Sequence, residues 1–296
     1  MGELLSHTFE SGAGFDKALA ELRGRLDSFP QHRDLLEKLC QFELGRFLVE
    51  HRGIDGYWTD VVVNHPERGR VTGVNAQGEP LSLLERQILD QAPTFLATQQ
   101  RYQIFRKQLQ KELPKARRLL SVPSGLMSEL LSLDYSGSES VQLIAVDLDS
   151  SILQRVQENA KSHGFNGELE LVKADAWDFT LDQPVDLITS NGLNIYVAED
   201  DRVEALYRQF YRVLKPRGRL VASFLTPPES WDMDKIDPEA LSLQKSVFAD
   251  LLGVNWQQYR SEQLTRQQLQ HAGFSEIEFI YDEARMFPTV VASRLD

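Results

Sequence analysis

A single cysteine among 296 residues, Cys40, has no partner for an internal disulfide, and six scattered histidines form neither a CxxC-linked site nor a HExxH helix. No metal site is expected. Nowhere do about 18 apolar residues run together, and MGELLSHTFESGAGF lacks a basic segment followed by an apolar stretch. The expectation is a cytoplasmic protein without a membrane partner. Positive charge is also short: 32 Lys and Arg stand against 44 Asp and Glu, for a net charge of −12. A field of that sign repels polyphosphate, so nucleic acid is not an expected partner. Residues 1–113 hold 14 basic and 16 acidic residues and 114–296 hold 18 and 28, which places −10 of the −12 in the second part. The three-glycine fingerprint GxGxxG of dinucleotide sites is missing as well.

What remains is ordinary globular material, 42% hydrophobic and 26% charged, with a mean hydropathy of −0.35. Its texture changes near Pro114, which predicts a mainly helical N-terminal cap over 1–113 and a second domain over 114–296. In the cap, Leu35, Leu36, Leu39, Phe42, Phe47 and Leu48 recur at helical spacing. Helices are predicted over 15–29 and 34–49, broken at Pro30, and over 81–113 with an interruption at Pro93. Gly and Pro punctuation around Val61–Val63 and the turn-rich 75–78 predict a small hairpin or irregular segment over 53–80.

After Pro114 strand and helix alternate. Strands are predicted over 118–122, 142–146, 168–173, 185–189 and 218–225, with helices over 125–133, 150–162 and 201–214. That alternation implies βαβ units and a doubly wound, mostly parallel α/β sheet. An insertion over 227–255 with a helix at 238–252 interrupts it, a helix follows at 262–272, and two last strands, 277–281 and 289–293, are too close for a crossover. The last strand should therefore run antiparallel, giving a seven-stranded sheet.

In such sheets ligands bind at the carboxyl ends of the strands. The first strand runs into Pro123, Ser124 and Gly125, a tight turn with one glycine. The second ends in Asp147 and Leu148, with Asp147 twenty-two positions after Gly125. A carboxylate at that distance can accept both hydroxyls of a ribose, whereas Asp149 with Ser150 reads as a helix cap. The third ends in Asp175, Ala176 and Trp177, where an acid can meet the exocyclic amine of adenine and an indole can flank the ring; a helix-cap Asp beside a core tryptophan is the plainer alternative. The fourth ends in Ser190 and Asn191, followed by Gly192, Asn194 and Tyr196.

Taken in order, LLSVPSG, AVDLD, KADAW, DLITSNGLN, LKPRGRL and the terminal antiparallel pair resemble the motifs of class I S-adenosylmethionine-dependent methyltransferases. The resemblance spans 114–296 and implies S-adenosylmethionine as cofactor. It implies cofactor contacts from Pro123, Ser124, Gly125, Asp147, Leu148, Asp175, Ala176, Trp177, Ser190 and Asn191, with Asn194 and Tyr196 on the substrate side. The family usually carries an acid at the position of Ser121 and glycines at those of Pro123, Gly125 and Met127; only Gly125 matches. Transfer from a sulfonium needs alignment and desolvation more than acid–base work, and no catalytic dyad is visible. His65 is read as an inert loop histidine. The signature of enzymes that methylate base amino groups is absent after the fourth strand, so a small-molecule acceptor is expected. Tyr57, Trp58, Phe95, Tyr102, Trp231, Phe248 and Trp256 are available to wall its pocket, although many must be plain core. A nicotinamide oxidoreductase, an aminopropyl transferase and a non-catalytic nucleoside-binding protein are the alternatives.

Overall fold

The computed structural model describes residues 14–26, 30–137, 140–254 and 257–295, so Trp256 lies outside the described residues. The chain forms two compact units, residues 1–99 with 232–257 and residues 100–231 with 258–296. The change of unit falls inside one long helix, Pro93–Glu112, rather than at the change of texture near Pro114.

The second unit is built on seven strands: β1 (Arg118–Ser121), β2 (Gln142–Asp147), β3 (Glu168–Lys173), β4 (Val185–Ser190), β5 (Leu214–Ser223), β6 (Ser275–Ile280) and β7 (Thr289–Ser293). Their order is β3-β2-β1-β4-β5-β7-β6, with β1 to β5 parallel and β7 antiparallel to both neighbours. The central strands are continuous apolar runs because both faces are covered: Leu143, Ile144 and Ala145 are fully buried. Phe105, Leu109 and Leu113 of the long helix pack with Leu119, Leu143, Leu187, Val221 and Val291 in one core. The chain winds outward from β1 through β2 to β3 and then returns to β4 beside β1. The carboxyl ends of β1 and β4 thus flank the point where strand order reverses, the place where open sheets of this kind bind ligands.

Two predicted boundaries in this unit move. β5 begins at Leu214, which pairs with Val185, and a register shift before Leu187↔Arg219 accommodates Arg217 in the left-handed region. The helix expected over 125–133 is a single turn, Ser128–Leu131, since Gly125 and Met127 both take positive φ (47° and 57°) and hold the preceding segment out of the helix.

In the first unit the stretch expected as one helix over 34–49 is two, Arg33–Leu39 and Glu43–His51. The chain turns back so tightly that a Cβ on Gly45 would lie 2.0 Å from the Leu39 carbonyl oxygen, an approach only glycine permits. The expected hairpin over 53–80 is corrected to a helix, Gly56–Asn64, a short turn, Gly69–Thr72, and a lone bridge between Val74 and Pro80. The Asp55 carboxylate caps the first helix by accepting from Trp58 N at 2.8 Å, and Trp58 and Val62, four apart, bury one face. Burial of that stripe overrides the β preference of Val61–Val63. Leu22, Leu39, Leu44, Leu48, Val62 and Ile88 form this unit's core, and Val247, Leu251 and Leu252 of the insertion complete it.

Candidate functional site

At the exits of β1 and β2 the backbone and one carboxylate are knitted together. Ser124 N donates to the Val146 carbonyl at 2.9 Å, and Met127 N to that of Ser124 at 2.9 Å. Gly125 N donates to Asp147 Oδ2 at 3.3 Å and Asp149 N to Asp147 Oδ1 at 3.0 Å. The structure therefore brings together the glycine and acid that sequence spacing paired. Burial pushes the Asp147 carboxyl above its ordinary value, opposed by these N–H groups. A Cβ built on Gly125 meets nothing within 4 Å, so the glycine serves its left-handed backbone and leaves the approach to the turn open. From the helix Ser150–Ser162, capped as expected by Asp149, Asn159 Nδ2 donates to the Leu126 carbonyl (2.8 Å) and Ser128 Oγ (3.0 Å) and fixes the turn from behind. Pro123 is half-buried, and its peptide bond with Val122 is cis. Ser124 is buried and directs its hydroxyl to the Gly125 carbonyl at 3.2 Å. Leu148 presents an apolar side chain that is 38% exposed beside Asp147.

One buried carboxylate here escaped sequence reading. Ser121 Oγ donates to Glu129 Oε1 at 2.7 Å, with both residues buried. Glu129 reaches Ser121 from eight residues downstream. The one-turn helix that brings it back is invisible to periodicity.

At the exit of β3, Asp175 Oδ1 accepts from Trp177 N at 3.0 Å, and Ala176 is buried between them. The Trp177 indole N–H donates to the Arg202 carbonyl at 2.8 Å, with the Arg202 guanidinium 5.0 Å from the ring centroid. Trp177 is anchored to the helix Asp200–Val213, while the Asp175 carboxylate keeps an exposed position.

The exits of β4 and β5 look different. Ser190 is buried, and Asn191 Oδ1 and Asn194 Oδ1 are buried without hydrogen-bond partners. Asn194 turns its amide nitrogen to Tyr207 Oη at 2.8 Å, which commits it to helix Asp200–Val213. Its backbone carbonyl accepts from Arg260 Nη1 at 2.8 Å; Arg260 also donates to the Val197 carbonyl at 2.6 Å and to Asp200 at 2.9 Å, clamping the loop after β4. Burial pushes the Tyr196 phenol up, and the nearby Arg101 charge opposes that shift.

Arg101 is the main residue that the sequence reading missed. It lies on helix Pro93–Glu112, and its Nη1 donates to Ser223 Oγ at 3.5 Å. Its guanidinium sits 4.8 Å from the Phe287 ring centroid. Burial pulls its pKa down to about 10. A signal existed: Arg101 stands four and eight positions before the buried Phe105 and Leu109, on the inward stripe of the helix.

His65 is corrected from an inert loop histidine to a buried one, 3% exposed, with Nε2 2.9 Å from Asp90 Oδ1. Arg70 Nε donates to the same oxygen at 2.6 Å. Desolvation lowers the His65 pKa against the raising effect of Asp90. With Tyr57, Trp58, Asn64 and Leu89 it lines a cavity of the helical unit. Trp58, Phe95 and Tyr102 are core residues, and Phe248 packs 5.6 Å from Phe95. Among the described residues no group of three His, Cys, Asp or Glu is placed to hold a metal ion, and no helix is long and apolar enough to cross a membrane.

Residues 123–218 match the family model of a methyltransferase domain. A protein from Bordetella parapertussis, described as a possible exported protein, has a solved structure similar to this one. The two share 40% identity with a TM-score of 0.87, over 95% of this chain and 96% of that one. The carboxy-S-adenosyl-L-methionine synthase of Shewanella woodyi is 33% identical over 87 residues, so the chain spans about a third (35%) of the length of that curated relative. The magnesium protoporphyrin IX methyltransferase of Synechocystis PCC 6803, solved with bound S-adenosylhomocysteine, shares the fold at 15% identity and a TM-score of 0.52, over 80% of this chain and 98% of that one. The near-full-length likeness makes this chain and the Bordetella protein one family. The match over residues 123–218 gives this part of the chain a methyltransferase domain, and its strand order is the fold shared with the magnesium protoporphyrin IX methyltransferase.

Proposed function

We propose that this protein transfers the methyl group of S-adenosylmethionine to a small-molecule acceptor at the carboxyl edge of its sheet. The observation that carries the reading is the Gly125–Asp147 pair, a left-handed glycine and a half-buried carboxylate joined at 3.3 Å at the mouth of the strand-order reversal. The bound cofactor supplies an activated methyl on a sulfonium, whose neutral thioether leaves without protonation. The chain's task is therefore to bind, orient and exclude water.

Asp147 suits the ribose hydroxyls, since each of its oxygens keeps acceptor capacity beyond the one N–H it now receives. Leu148 offers an apolar surface for the adenine face and Asp175 an acceptor for its amine. Pro123, Ser124 and Gly125 shape the turn for the methionyl end, through backbone groups, because the Ser124 hydroxyl is occupied. Ala176 and Trp177 set the wall beside the base, and Ser190 and Asn191 stand where the acceptor side begins. Tyr196 faces that side with its phenol protonated. Asn194 contributes through the loop it helps fix. Dependence on S-adenosylmethionine and the solitary thiol Cys40 support a cytoplasmic location, which cell fractionation tests against the export suggested for the Bordetella relative.

Calorimetry with S-adenosylhomocysteine, followed by detection of that product over a metabolite panel, tests the reading. Saturable one-to-one binding is expected. A folded protein that binds neither S-adenosylmethionine nor S-adenosylhomocysteine refutes it.

A further inference from the structure

One buried cation at this sheet edge has sparse direct pairing among the described residues. Arg101 is 6% exposed, yet among the described residues its guanidinium makes one long hydrogen bond, to Ser223 Oγ at 3.5 Å, and its Nε is buried without an acceptor. Two acidic groups act on it through space, the Tyr196 phenol and the Asp282 carboxylate. Asp282 is itself buried, and its oxygens accept the backbone N–H groups of Met286 (3.1 Å) and Phe287 (2.7 Å). A guanidinium carries five N–H donors in a planar fork. Burying it so sparsely satisfied is unfavourable, and such groups are retained where a ligand completes them.

Its surroundings say what that ligand offers. Ser223 ends β5, and its register partner on β7 is Thr289, whose Oγ1 is also buried without a partner. Paired residues of adjacent strands point to the same face, so two hydroxyls and a guanidinium line one place, all able to donate. Gly192 borders it: its backbone takes a left-handed φ of 83°, and a Cβ there would lie 3.5 Å from Arg101 Nη1 and 3.1 Å from Ile195 Cδ1. The place lies on the β4–β5–β7 side of the reversal. Ser223 is two strands, about 10 Å, from the β1 exit and three from Asp147, which sets it apart from the ribose and methionyl positions.

We propose that Arg101, with Ser223 and Thr289, binds a carboxylate of the methyl acceptor, so that the acceptors are small carboxylic acids. Asp282 already acts on the same guanidinium, so a carboxylate adds one further negative charge where a phosphate dianion would add two, in a protein of net charge −12. The proposal rests on the methyltransferase reading above.

The test uses the full chain saturated with S-adenosylhomocysteine and saturation-transfer NMR with benzoate, octanoate and their amides. The carboxylates are expected to bind and the amides not. Arg101→Leu should weaken carboxylate binding at least about tenfold, Arg101→Lys should retain part of it, and both should hold S-adenosylhomocysteine within about threefold of the parent by calorimetry. A loss of S-adenosylhomocysteine affinity beyond about threefold in either variant overturns the proposal. So does equal binding of acids and amides, or carboxylate binding that survives Arg101→Leu. A loss of S-adenosylhomocysteine affinity in Arg101→Leu with unchanged binding of 5′-methylthioadenosine, which lacks the amino-acid carboxylate, assigns the guanidinium to the cofactor and overturns the acceptor assignment. Failure of the parent protein to bind S-adenosylhomocysteine at all is a separate result that refutes the underlying reading.

Discussion

The two halves of the sheet's carboxyl edge manage buried polarity in opposite ways. From Ser121 to Asp178, among the described residues, no buried side-chain nitrogen or oxygen lacks a partner: Ser121 meets Glu129, and Asp147 holds two backbone N–H groups. Across the reversal, Thr189 Oγ1, Asn191 Oδ1, Asn194 Oδ1, Arg101 Nε and Thr289 Oγ1 are all buried and unpaired. An unmade buried hydrogen bond is unfavourable by about 1–3 kcal/mol, so the second half stores polarity that the first has already spent. On the proposed reading the first half is already formed for the cofactor. The second is completed by whatever arrives, which fits the separation of a fixed cofactor from a selected acceptor.

The contrast can be broken most sharply at Gly125. Gly125→Val puts a β-branched side chain at φ 47°, and the rearranged turn should lose at least about a hundredfold in S-adenosylhomocysteine affinity by calorimetry while the far-UV spectrum is kept. Asp147→Ala should weaken the same binding by about tenfold to a hundredfold, the worth of a charge-assisted hydrogen bond. Because burial raises the Asp147 pKa, affinity should be full at neutral pH and fall as pH drops through that elevated value, beginning above the ordinary carboxylate range. Asp147→Asn should flatten this profile, and a slope that persists assigns the titration elsewhere.

On the other half, Arg260→Met removes three hydrogen bonds at the loop after β4 and should lower stability by about 2–4 kcal/mol in denaturant titrations. Turnover should suffer more than cofactor affinity; equal losses would mean that the loop serves both sides. The smallest effect is expected in the helical unit. His65 has a folded pKa below its unfolded value, so the unfolded chain binds the proton more tightly. That contribution to stability is present above about pH 6.5 and is lost as pH falls from there toward the lowered folded value. His65→Gln should remove this slope from Tm measured against pH.

The sheet was legible because its signals are local: Leu143–Val146 is an apolar run between turn residues, Val185–Ile188 is apolar but for Asp186, and Asp147 sits at a fixed distance from Gly125. The helical unit was harder, since the fate of Val61–Val63 depends on a core assembled from distant segments. Glu129 and Arg101 were missed for a related reason. Each acts on a residue that the fold alone brings near, Ser121 through a tight turn and Ser223 across 122 positions of sequence.

The helical unit's discontinuity carries a consequence for how the protein is made. Residues 1–99 leave the ribosome first, but Val247, Leu251 and Leu252, which finish their core, follow only after 100–231 have been synthesised. At about 5–20 residues per second that interval is on the order of ten seconds, during which Leu22, Leu48 and Ile88 lack part of their cover. The core of the first unit is therefore completed only when residues 232–257 emerge, and the sheet unit only after that, when β6 and β7 follow.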